Sequence, residues 1–230
     1  MGSILLTGSN RGIGLELARV FARQSWRVFA TCRAPEQAQD LQALAAEHPL
    51  VSIHPLEMTD ADQMSRLATD LKDLPIDILF NNAGILGPEA QGFGDTDVEG
   101  WLTALRVNTL APLQMAERFV ENVARSRLKI MASMGSIMGS LAENSSGGYY
   151  AYRSSKAGVH MVMKGLAADL APRGIISVVF HPGWVHTRMG GSQAPVSPQQ
   201  SAAGIQQVLL ELSKEDSGKL FDFEGQERAW

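Results

Sequence analysis

Tyr152 and Lys156 are spaced so that a phenol and an amine can act together. The apolar residues that follow recur every three or four positions, which predicts a helix, and residues four apart share one face of a helix. A free phenol has a pKa of about 10, and a cation within about 6 Å lowers such a pKa by roughly one to three units. The spacing therefore predicts a tyrosine that exchanges protons near neutral pH.

A solvated helix face is the alternative for this pair, because Tyr-x-x-x-Lys is a common spacing. Two neighbouring tyrosines allow an internal comparison. Tyr149 is followed four residues later by Arg153, and Tyr150 by Ser154, so that Tyr152 alone has a lysine at that distance. The choice between the two interpretations depends on whether other motifs for the same chemistry accompany the pair.

A glycine-rich segment, Thr7 to Gly14, joins the first apolar run to an amphipathic helical pattern. Gly8, Gly12 and Gly14 would let backbone N–H groups approach a pyrophosphate at the positive end of that helix. The spacing G-x-x-x-G-x-G has a longer turn than the G-x-G-x-x-G dinucleotide fingerprint. A turn that only connects strand to helix is the alternative, but a place at the first strand-to-helix junction favours a nucleotide site.

Strands and helices alternate along the chain. Apolar runs rich in β-branched residues predict strands at 3–7, 27–32, 51–56, 76–81, 128–133, 175–181 and 219–223. Helical patterns lie between them, among them 61–74, 111–124 and 152–171. The sequence thus predicts an α/β fold, a single doubly wound (Rossmann) domain over residues 1–230 with a mostly parallel seven-stranded sheet and helices on both faces. Such sheets bind ligands beyond the carboxyl ends of their strands.

The composition excludes several classes of protein. The 230 residues are 45% hydrophobic and 19% charged, as in globular chains, and the net charge of -4 argues against a nucleic-acid partner. The one cysteine, Cys32, closes no intramolecular disulfide and indicates a reducing compartment. No apolar run approaches the roughly 20 residues that span a bilayer, and no secretion signal opens the chain. A cytoplasmic protein that binds no membrane is predicted.

Residues 183 to 200 interrupt the alternation with three glycines and two prolines between a strand and a helix. This segment, at about 184–200, is either a substrate loop or a surface loop without chemistry. No metal is predicted, because the five histidines lack metal-ligand spacing and have no cysteine partners. The histidines are residues 48, 54, 160, 181 and 186.

Further motifs accompany the glycine turn and the tyrosine–lysine pair in a fixed order. They are Asn81-Asn82-Ala83-Gly84, Asn108, a serine-rich strand end and Pro182-Gly183. With these motifs the chain resembles the short-chain dehydrogenase/reductase family over essentially its whole length. The segments 136–140, 147–152 and 182–191 are most similar to the branch of sniffer-like carbonyl reductases and C-factor proteins.

The resemblance implies a catalytic set of Ser136, Tyr152, Lys156 and Asn108. Tyr152 would protonate a carbonyl oxygen, or deprotonate an alcohol in reverse, and Ser136 would hydrogen-bond the same oxygen. Lys156 would also hold the nicotinamide ribose, and Asn108 would support a water next to the lysine. Ser133 is the alternative serine, because the family usually has paired serines here and Gly135 stands where the first would be.

The resemblance also implies a cofactor site at the strand ends. The glycine turn would bind the pyrophosphate, residues 82–84 would lie beneath the ribose, and Glu57 would stand near the adenine where the family usually has aspartate. Residues after the sixth predicted strand would reach the carboxamide. The predicted cofactor-binding residues are Gly8, Asn10, Arg11, Gly12, Ile13, Gly14, Arg33, Glu57, Met58, Asn82, Ala83, Gly84, Tyr152, Lys156, Pro182, Gly183, Val185 and Thr187.

The end of the second strand predicts NADPH rather than NADH. An acidic residue there would bind the ribose hydroxyls of NADH, but Cys32 and Arg33 occupy the position. Arg11, in the glycine turn, is a second cation, and two guanidiniums can bind a phosphate through charge-assisted hydrogen bonds. Two solvated surface arginines are the alternative.

The favoured hypothesis is an NADPH-dependent reductase acting on an aldehyde or ketone, with Tyr152 as the proton donor. A cofactor-binding signalling or regulatory protein of the C-factor type is the alternative, because fold alone does not fix function. The resemblance further implies a homodimer or homotetramer that pairs the helices at 111–124 and 152–171. The small-molecule substrate itself is not identified by the sequence.

Overall fold

A twisted eight-stranded sheet forms the centre of the protein, and the computed structural model describes residues 2–230. The strands of this sheet are β1 (Ser3–Leu6), β2 (Arg27–Cys32), β3 (Val51–Pro55), β4 (Ile78–Asn81), β7 (Ile130–Met134), β8 (Ile176–His181), β9 (Leu220–Asp222) and β10 (Glu227–Arg228). Their order is β10-β9-β8-β7-β4-β1-β2-β3. Two short strands, β5 (Gln91–Gly92) and β6 (Asp95–Thr96), form a separate antiparallel hairpin.

The predicted doubly wound fold is confirmed, with one correction to the number of strands. Seven strands are parallel, as the sequence predicts, and their order reverses between β1 and β4. The eighth, β10, pairs antiparallel with β9 at the sheet edge. Strand β10 has only two residues, both charged, and therefore leaves no apolar pattern in the sequence. The sequence for this reason predicts seven strands and not eight.

Residues 2–230 form seven α-helices, and six of them cover the two faces of the sheet. The seven are α1 (Gly12–Arg23), α2 (Gln39–Glu47), α3 (Ala61–Asp70), α4 (Val98–Leu105), α5 (Ala111–Ala124), α6 (Tyr150–Asp169) and α7 (Pro198–Glu211). One hydrophobic core packs α1, α2 and α7 against the sheet, and a second packs α3, α5 and α6 against the opposite face. Burial of both strand faces explains why the strands read as nearly continuous apolar runs.

Several predicted boundaries shift in the structure. Helix α3 ends at Asp70 rather than at 74, and the predicted loop at 184–200 gives way to α7 at Pro198. Ser197 caps that helix and forms a reciprocal capping box with Gln200, so the last three residues of the predicted loop are the first turn of a helix. Within residues 2–230 no helix is both long and apolar enough to cross a bilayer.

The parallel strands bring the sequence motifs to one edge of the sheet. Gly8 follows β1, Asn82 follows β4, Ser136 follows β7 and Gly183 follows β8. Because these four strands are neighbours in the order β8-β7-β4-β1, residues far apart in sequence meet beyond their carboxyl ends. This edge is where the candidate site lies.

Candidate active site

The glycine turn lies between the segment after β4 and the loop after β8. Gly8 and Gly12 both adopt left-handed backbone conformations, with φ of +68° and +55°. A Cβ added at Gly8 would lie 2.9 Å from the Cα of Ala83, whereas the nearest atom to a Cβ at Gly12 is a methyl carbon of Thr187 at 3.4 Å. A side chain at Gly12 would therefore extend into the space between the turn and the loop of Thr187.

Helix α1 begins at Gly12, within this turn, and its first N–H groups have no side-chain cap. Arg11, its N-cap, makes no side-chain capping bond within residues 2–230, and the first turn contains no acidic residue. Helices α3, α4 and α7, by contrast, are capped by the side chains of Asp60, Asp97 and Ser197. An uncapped helix N-terminus carries partial positive charge and favours a phosphate group.

Asn82 fastens the glycine turn to the end of β4. Its Nδ2 donates to the carbonyl oxygens of Thr7 at 2.9 Å and Gly8 at 3.1 Å, and the backbone N–H of Ala83 donates to Thr7 Oγ1 at 3.0 Å. A Cβ at Gly14 would lie 2.5 Å from Asn82 Nδ2. The turn and the predicted ribose floor thus form one hydrogen-bonded unit, and their role in binding a cofactor remains a prediction.

Three arginines surround the entrance to the turn. The pKa of Arg11 is lowered by partial burial, which has the largest effect, and then by the positive charges of Arg188 and Arg33. Arg33 Nη1 lies 3.8 Å from Glu57 Oε2, so this carboxylate offsets part of the charge. Arg188 is not among the predicted cofactor-binding residues, although it directly follows Thr187, which is. Clustered guanidiniums are suited to bind an anion.

Tyr152 is 8% exposed in the first turn of α6, and its phenol lies close to the side chain of Ser136. Burial raises the pKa of the phenol above its usual value, and the nearby side chain of Ser136 offsets part of that rise. The prediction that Lys156 lowers the pKa of the Tyr152 phenol below its usual value is therefore wrong. A phenol that stays protonated at neutral pH suits a proton donor.

Lys156 lies one turn further along α6, on the same face as Tyr152, as its spacing predicts. Its Nζ lies 5.7 Å from the centroid of the Tyr152 ring and donates to the carbonyl oxygen of Met134 at 2.7 Å. Burial lowers the pKa of the amine to about 8. The hydrogen bond thus holds the amine at the end of β7. Because of its burial, the ammonium loses its proton more easily than the ammonium of a surface lysine.

Ser136, rather than Ser133, faces the phenol. Ser133 is fully buried, and its hydroxyl donates to the sulfur of Met163 at 3.1 Å. Gly135, at the position of the family's first serine, has no room for a side chain, because a Cβ there would lie 2.5 Å from Nε2 of His160. The geometry supports Ser136 in the predicted role.

Asn108 lies in a π-helical segment, Arg106–Leu110, that joins α4 to α5. Its Oδ1 accepts from the N–H of Ile85 at 2.9 Å, and its Nδ2 donates to the carbonyl of Ile85 at 2.8 Å and to Ser155 Oγ at 2.9 Å. Gly84 lies beside both side chains, since a Cβ there would be 3.2 Å from Asn108 Oδ1 and 3.4 Å from Lys156 Nζ. Asn108 therefore connects the segment after β4 to α6.

The loop after β8 is closed by its own backbone pairing. Val185 is buried and bridges to Val196, and the N–H of His186 donates to the carbonyl of Val196 at 2.8 Å. The Oγ1 of Thr187 accepts from Gly190 N–H at 3.1 Å, so the loop itself holds this hydroxyl. The pairing brings the methyl group of Thr187 over the glycine turn.

Other predicted cofactor residues reach the site less directly. Met58 is buried in one core and Ile13 packs against the other, so their backbone groups are the parts that a cofactor would contact. Gly183, with φ of +83°, packs against the ring of Phe223, and the carbonyl oxygen of Pro182 accepts a hydrogen bond from Ser201 Oγ at 2.8 Å. Asn10 is partly exposed within the turn.

A cavity of about 500 Å³ lies away from these residues, between α7 and the end of β9. Its lining includes Glu211, Asp216 and Glu224, whose negative charges would repel a phosphate. Among residues 2–230, no group of three or more histidine, cysteine or acidic side chains is arranged to hold a metal ion. The chemistry-bearing side chains are concentrated at the carboxyl edge of the sheet.

The sheet is doubly wound, and helix α1 begins without a side-chain cap in the glycine turn after β1. A buried serine, tyrosine and lysine lie at the same edge of the sheet. This is the architecture of an NAD(P)-dependent oxidoreductase. A family model for short chain dehydrogenases matches residues 3–196. The chain belongs to the short-chain dehydrogenase/reductase family, which confirms the resemblance seen in the sequence.

Similar proteins fall in the branch that the sequence motifs indicate. The carbonyl reductase Sniffer of D. melanogaster is 34% identical, with a TM-score of 0.92 and full coverage of both chains. An NADPH-bound carbonyl reductase from chicken fatty liver is also 34% identical, with a TM-score of 0.93 over 99% of this chain and 98% of the other. C-signal of Myxococcus xanthus is 38% identical over 167 residues, 73% of this chain and all of that one.

Proposed function

We propose that the protein is an NADPH-dependent carbonyl reductase that converts an aldehyde or ketone to an alcohol, with Tyr152 as the proton donor. The observation that carries this proposal is the buried Tyr152 phenol, which lies close to the side chain of Ser136 and has Lys156 Nζ 5.7 Å from the centroid of its ring. The two carbonyl reductases of similar structure, one of them NADPH-bound, support it. A cytoplasmic location and a homo-oligomeric state remain predictions.

The residues at the strand ends fit a dinucleotide phosphate. The glycine turn and the uncapped start of α1 would receive the pyrophosphate, and Arg11 and Arg33 would bind the 2′-phosphate of the adenine ribose. Arg33 replaces the acidic residue that an NADH site needs. The bound cofactor would supply the hydride.

The protein's own residues would manage the proton and the developing charge. As hydride reaches the carbonyl carbon, the O–H bond of Tyr152 breaks and its proton passes to the carbonyl oxygen. Ser136 donates a hydrogen bond to the same oxygen and stabilises its negative charge. The ammonium of Lys156, fixed by the Met134 carbonyl, stabilises the tyrosinate that is left until a proton returns.

Oxidation of NADPH with a panel of aldehydes, ketones and quinones tests the proposal. The wild type should consume NADPH with at least one of these carbonyl classes and form the alcohol. Tyr152→Phe should lower turnover by about 100-fold or more while leaving the dissociation constant of NADPH nearly unchanged, because general acid catalysis contributes about 10²–10⁴-fold. Equal turnover by the two proteins would refute Tyr152 as the proton donor.

A signalling role is the second candidate, favoured by the 38% identity to C-signal. The two candidates differ in what they require of the phenol. A role that depends on binding alone should survive Tyr152→Phe, whereas a role that depends on reduction should not. Comparing this variant with the wild type in cells that lack the protein separates the two.

A further inference from the structure

The segment between β4 and the β5–β6 hairpin has no regular structure, yet it lies beside the catalytic helix. Residues 82–90 form neither helix nor strand. Asn108 holds both backbone groups of Ile85 at the start of this segment. A second amide, Gln91, holds its far end: Gln91 Nε2 donates to the carbonyls of Pro88 at 2.7 Å and Leu86 at 3.2 Å. Two buried amides therefore fix one irregular segment.

Gln91 also reaches the catalytic tyrosine. Helix α6 starts after Tyr149, which has a left-handed φ of +49° and provides no side-chain cap. Tyr152 is the third residue of that helix, so its N–H has no partner within the helix. Gln91 Oε1 accepts a hydrogen bond from this N–H at 2.9 Å. The cap of α6 thus comes from a hairpin far away in the chain.

We infer that Gln91 is a positioning residue, which fixes the Tyr152 phenol relative to the segment 85–88. The side chain is 7% exposed and uses its acceptor and both of its donor hydrogens, so it is held in one orientation. Asn108 makes the matching connection one turn further along α6, through Ser155 Oγ. The inference rests on the proposed function, because positioning has meaning only where Tyr152 transfers a proton.

The energetic consequence separates positioning from simple stability. Loss of a cap lowers the stability of the folded chain wherever it occurs. A misplaced proton donor lowers turnover as well, and a displacement of about 1 Å can cost about 100-fold. Gln91→Leu should therefore lower kcat about 10-fold to 100-fold, with a much smaller change in the dissociation constant of NADPH.

Asn122 provides a matched structural control. It is 3% exposed, and its Nδ2 donates to two loop carbonyls, those of Leu71 at 2.7 Å and Leu74 at 2.8 Å. Asn122→Leu removes a buried amide of the same kind at a distance from Tyr152. It should lower the urea midpoint as Gln91→Leu does and leave kcat unchanged. Equal kcat in these two variants would overturn the inference.

Gln91→Glu adds a readout that does not depend on large packing changes. A protonated carboxyl group can accept from Tyr152 N–H and donate to Pro88, whereas a carboxylate cannot donate to either carbonyl. The kcat of this variant relative to wild type should fall as pH rises through the titration of the new carboxyl group. A constant ratio across that range would contradict the inference, and this variant also serves if Gln91→Leu does not fold.

Hydrogen exchange at the Tyr152 amide tests the anchor without any turnover. Exchange should be slow in the wild type and in Asn122→Leu, and clearly faster in Gln91→Leu. Unchanged exchange would overturn the anchor itself. If the wild type reduces no carbonyl, the proposed function fails while the exchange experiment still decides whether Gln91 holds α6, so the two failures are distinguishable.

Discussion

The amine of Lys156 lies 5.7 Å from the centre of the Tyr152 ring and donates its 2.7 Å hydrogen bond to the carbonyl of Met134. The two side chains share one helix face, while the hydrogen bond fixes the amine to the end of β7. This arrangement keeps the ammonium near the phenol. Within residues 2–230 the ammonium forms no salt bridge with a carboxylate. The lysine is therefore free to act on the tyrosine and on a bound anion.

The affinity for NADPH should decrease as pH rises through about 8, where Lys156 loses its charge. Burial lowers this pKa, so the ammonium is present below the transition and absent above it, and a neutral amine attracts an anionic cofactor less. Measuring kcat/KM for NADPH from neutral to alkaline pH checks this, because that ratio reports the ionisations of the free enzyme.

Lys164 provides the control on the same helix. Its Nζ donates to the Gly218 carbonyl at 2.9 Å, away from the cleft. Lys156→Met should abolish the decrease near pH 8 and lower kcat/KM at neutral pH, whereas Lys164→Met should retain the wild-type profile. A profile that is the same in all three proteins would contradict the assignment of the transition to Lys156.

Ser136→Ala should lower kcat about 100-fold or more, the usual effect of removing one donor to a developing oxyanion. Ser133→Ala should change kcat little, because the Ser133 hydroxyl is bonded to the Met163 sulfur and is fully buried. Steady-state kinetics of the two variants with the same carbonyl substrate decide between them. A larger loss for Ser133→Ala would make Ser133 the catalytic serine.

Patterns along the chain were sufficient to predict the fold and the placement of the chemistry. Strand β2 has the predicted bounds, Arg27–Cys32, because a strand buried on both faces leaves a continuous apolar run. Helix α5 has the predicted bounds, Ala111–Ala124, because burial of one helix face leaves apolar residues every three or four positions. The spacing of Tyr152 and Lys156 correctly put both on one face of a helix. Short elements such as β10 and the β5–β6 hairpin are too brief to leave such a signal.

Contacts between distant segments were not predictable in the same way. Gln91 is a common polar residue in the sequence, and only the folded chain brings its side chain to the N–H of Tyr152. The direction of the Tyr152 pKa was also missed, because it depends on burial by other elements and not on the lysine four residues later. Burial and cross-chain hydrogen bonds are properties of packing, which a local pattern does not encode.

Acid should destabilise the protein through His160 and His181. Burial is the largest cause that lowers their pKa values, to about 3 and about 4. Since an unfolded histidine titrates at about 6.5, the unfolded chain binds more protons than the folded chain below that pH, and stability is lost as pH falls. Each histidine would reduce the free energy of unfolding by at most about 1.4 kcal/mol per pH unit.

Urea unfolding at neutral pH and near pH 5 measures this effect. His181→Gln should reduce the difference between the two unfolding free energies, because a glutamine takes up no proton. An equal difference in wild type and variant would show that His181 is not one of the groups responsible.

Arg33→Asp should change the preference for the cofactor from NADPH towards NADH. An aspartate at the end of β2 would repel the 2′-phosphate and accept hydrogen bonds from the ribose hydroxyls, and loss of a charged hydrogen bond costs about 1.5–3 kcal/mol, or roughly 10-fold to 150-fold in KM. Arg27→Asp makes the same charge change at the opposite, exposed end of β2 and should leave both KM values unchanged. A rise in the KM for NADPH of equal size in the two variants would mean that net charge, and not contact with the phosphate, sets the preference. An unchanged ratio of the KM values in Arg33→Asp would instead leave Arg11 and Arg188 as the arginines that distinguish the two cofactors.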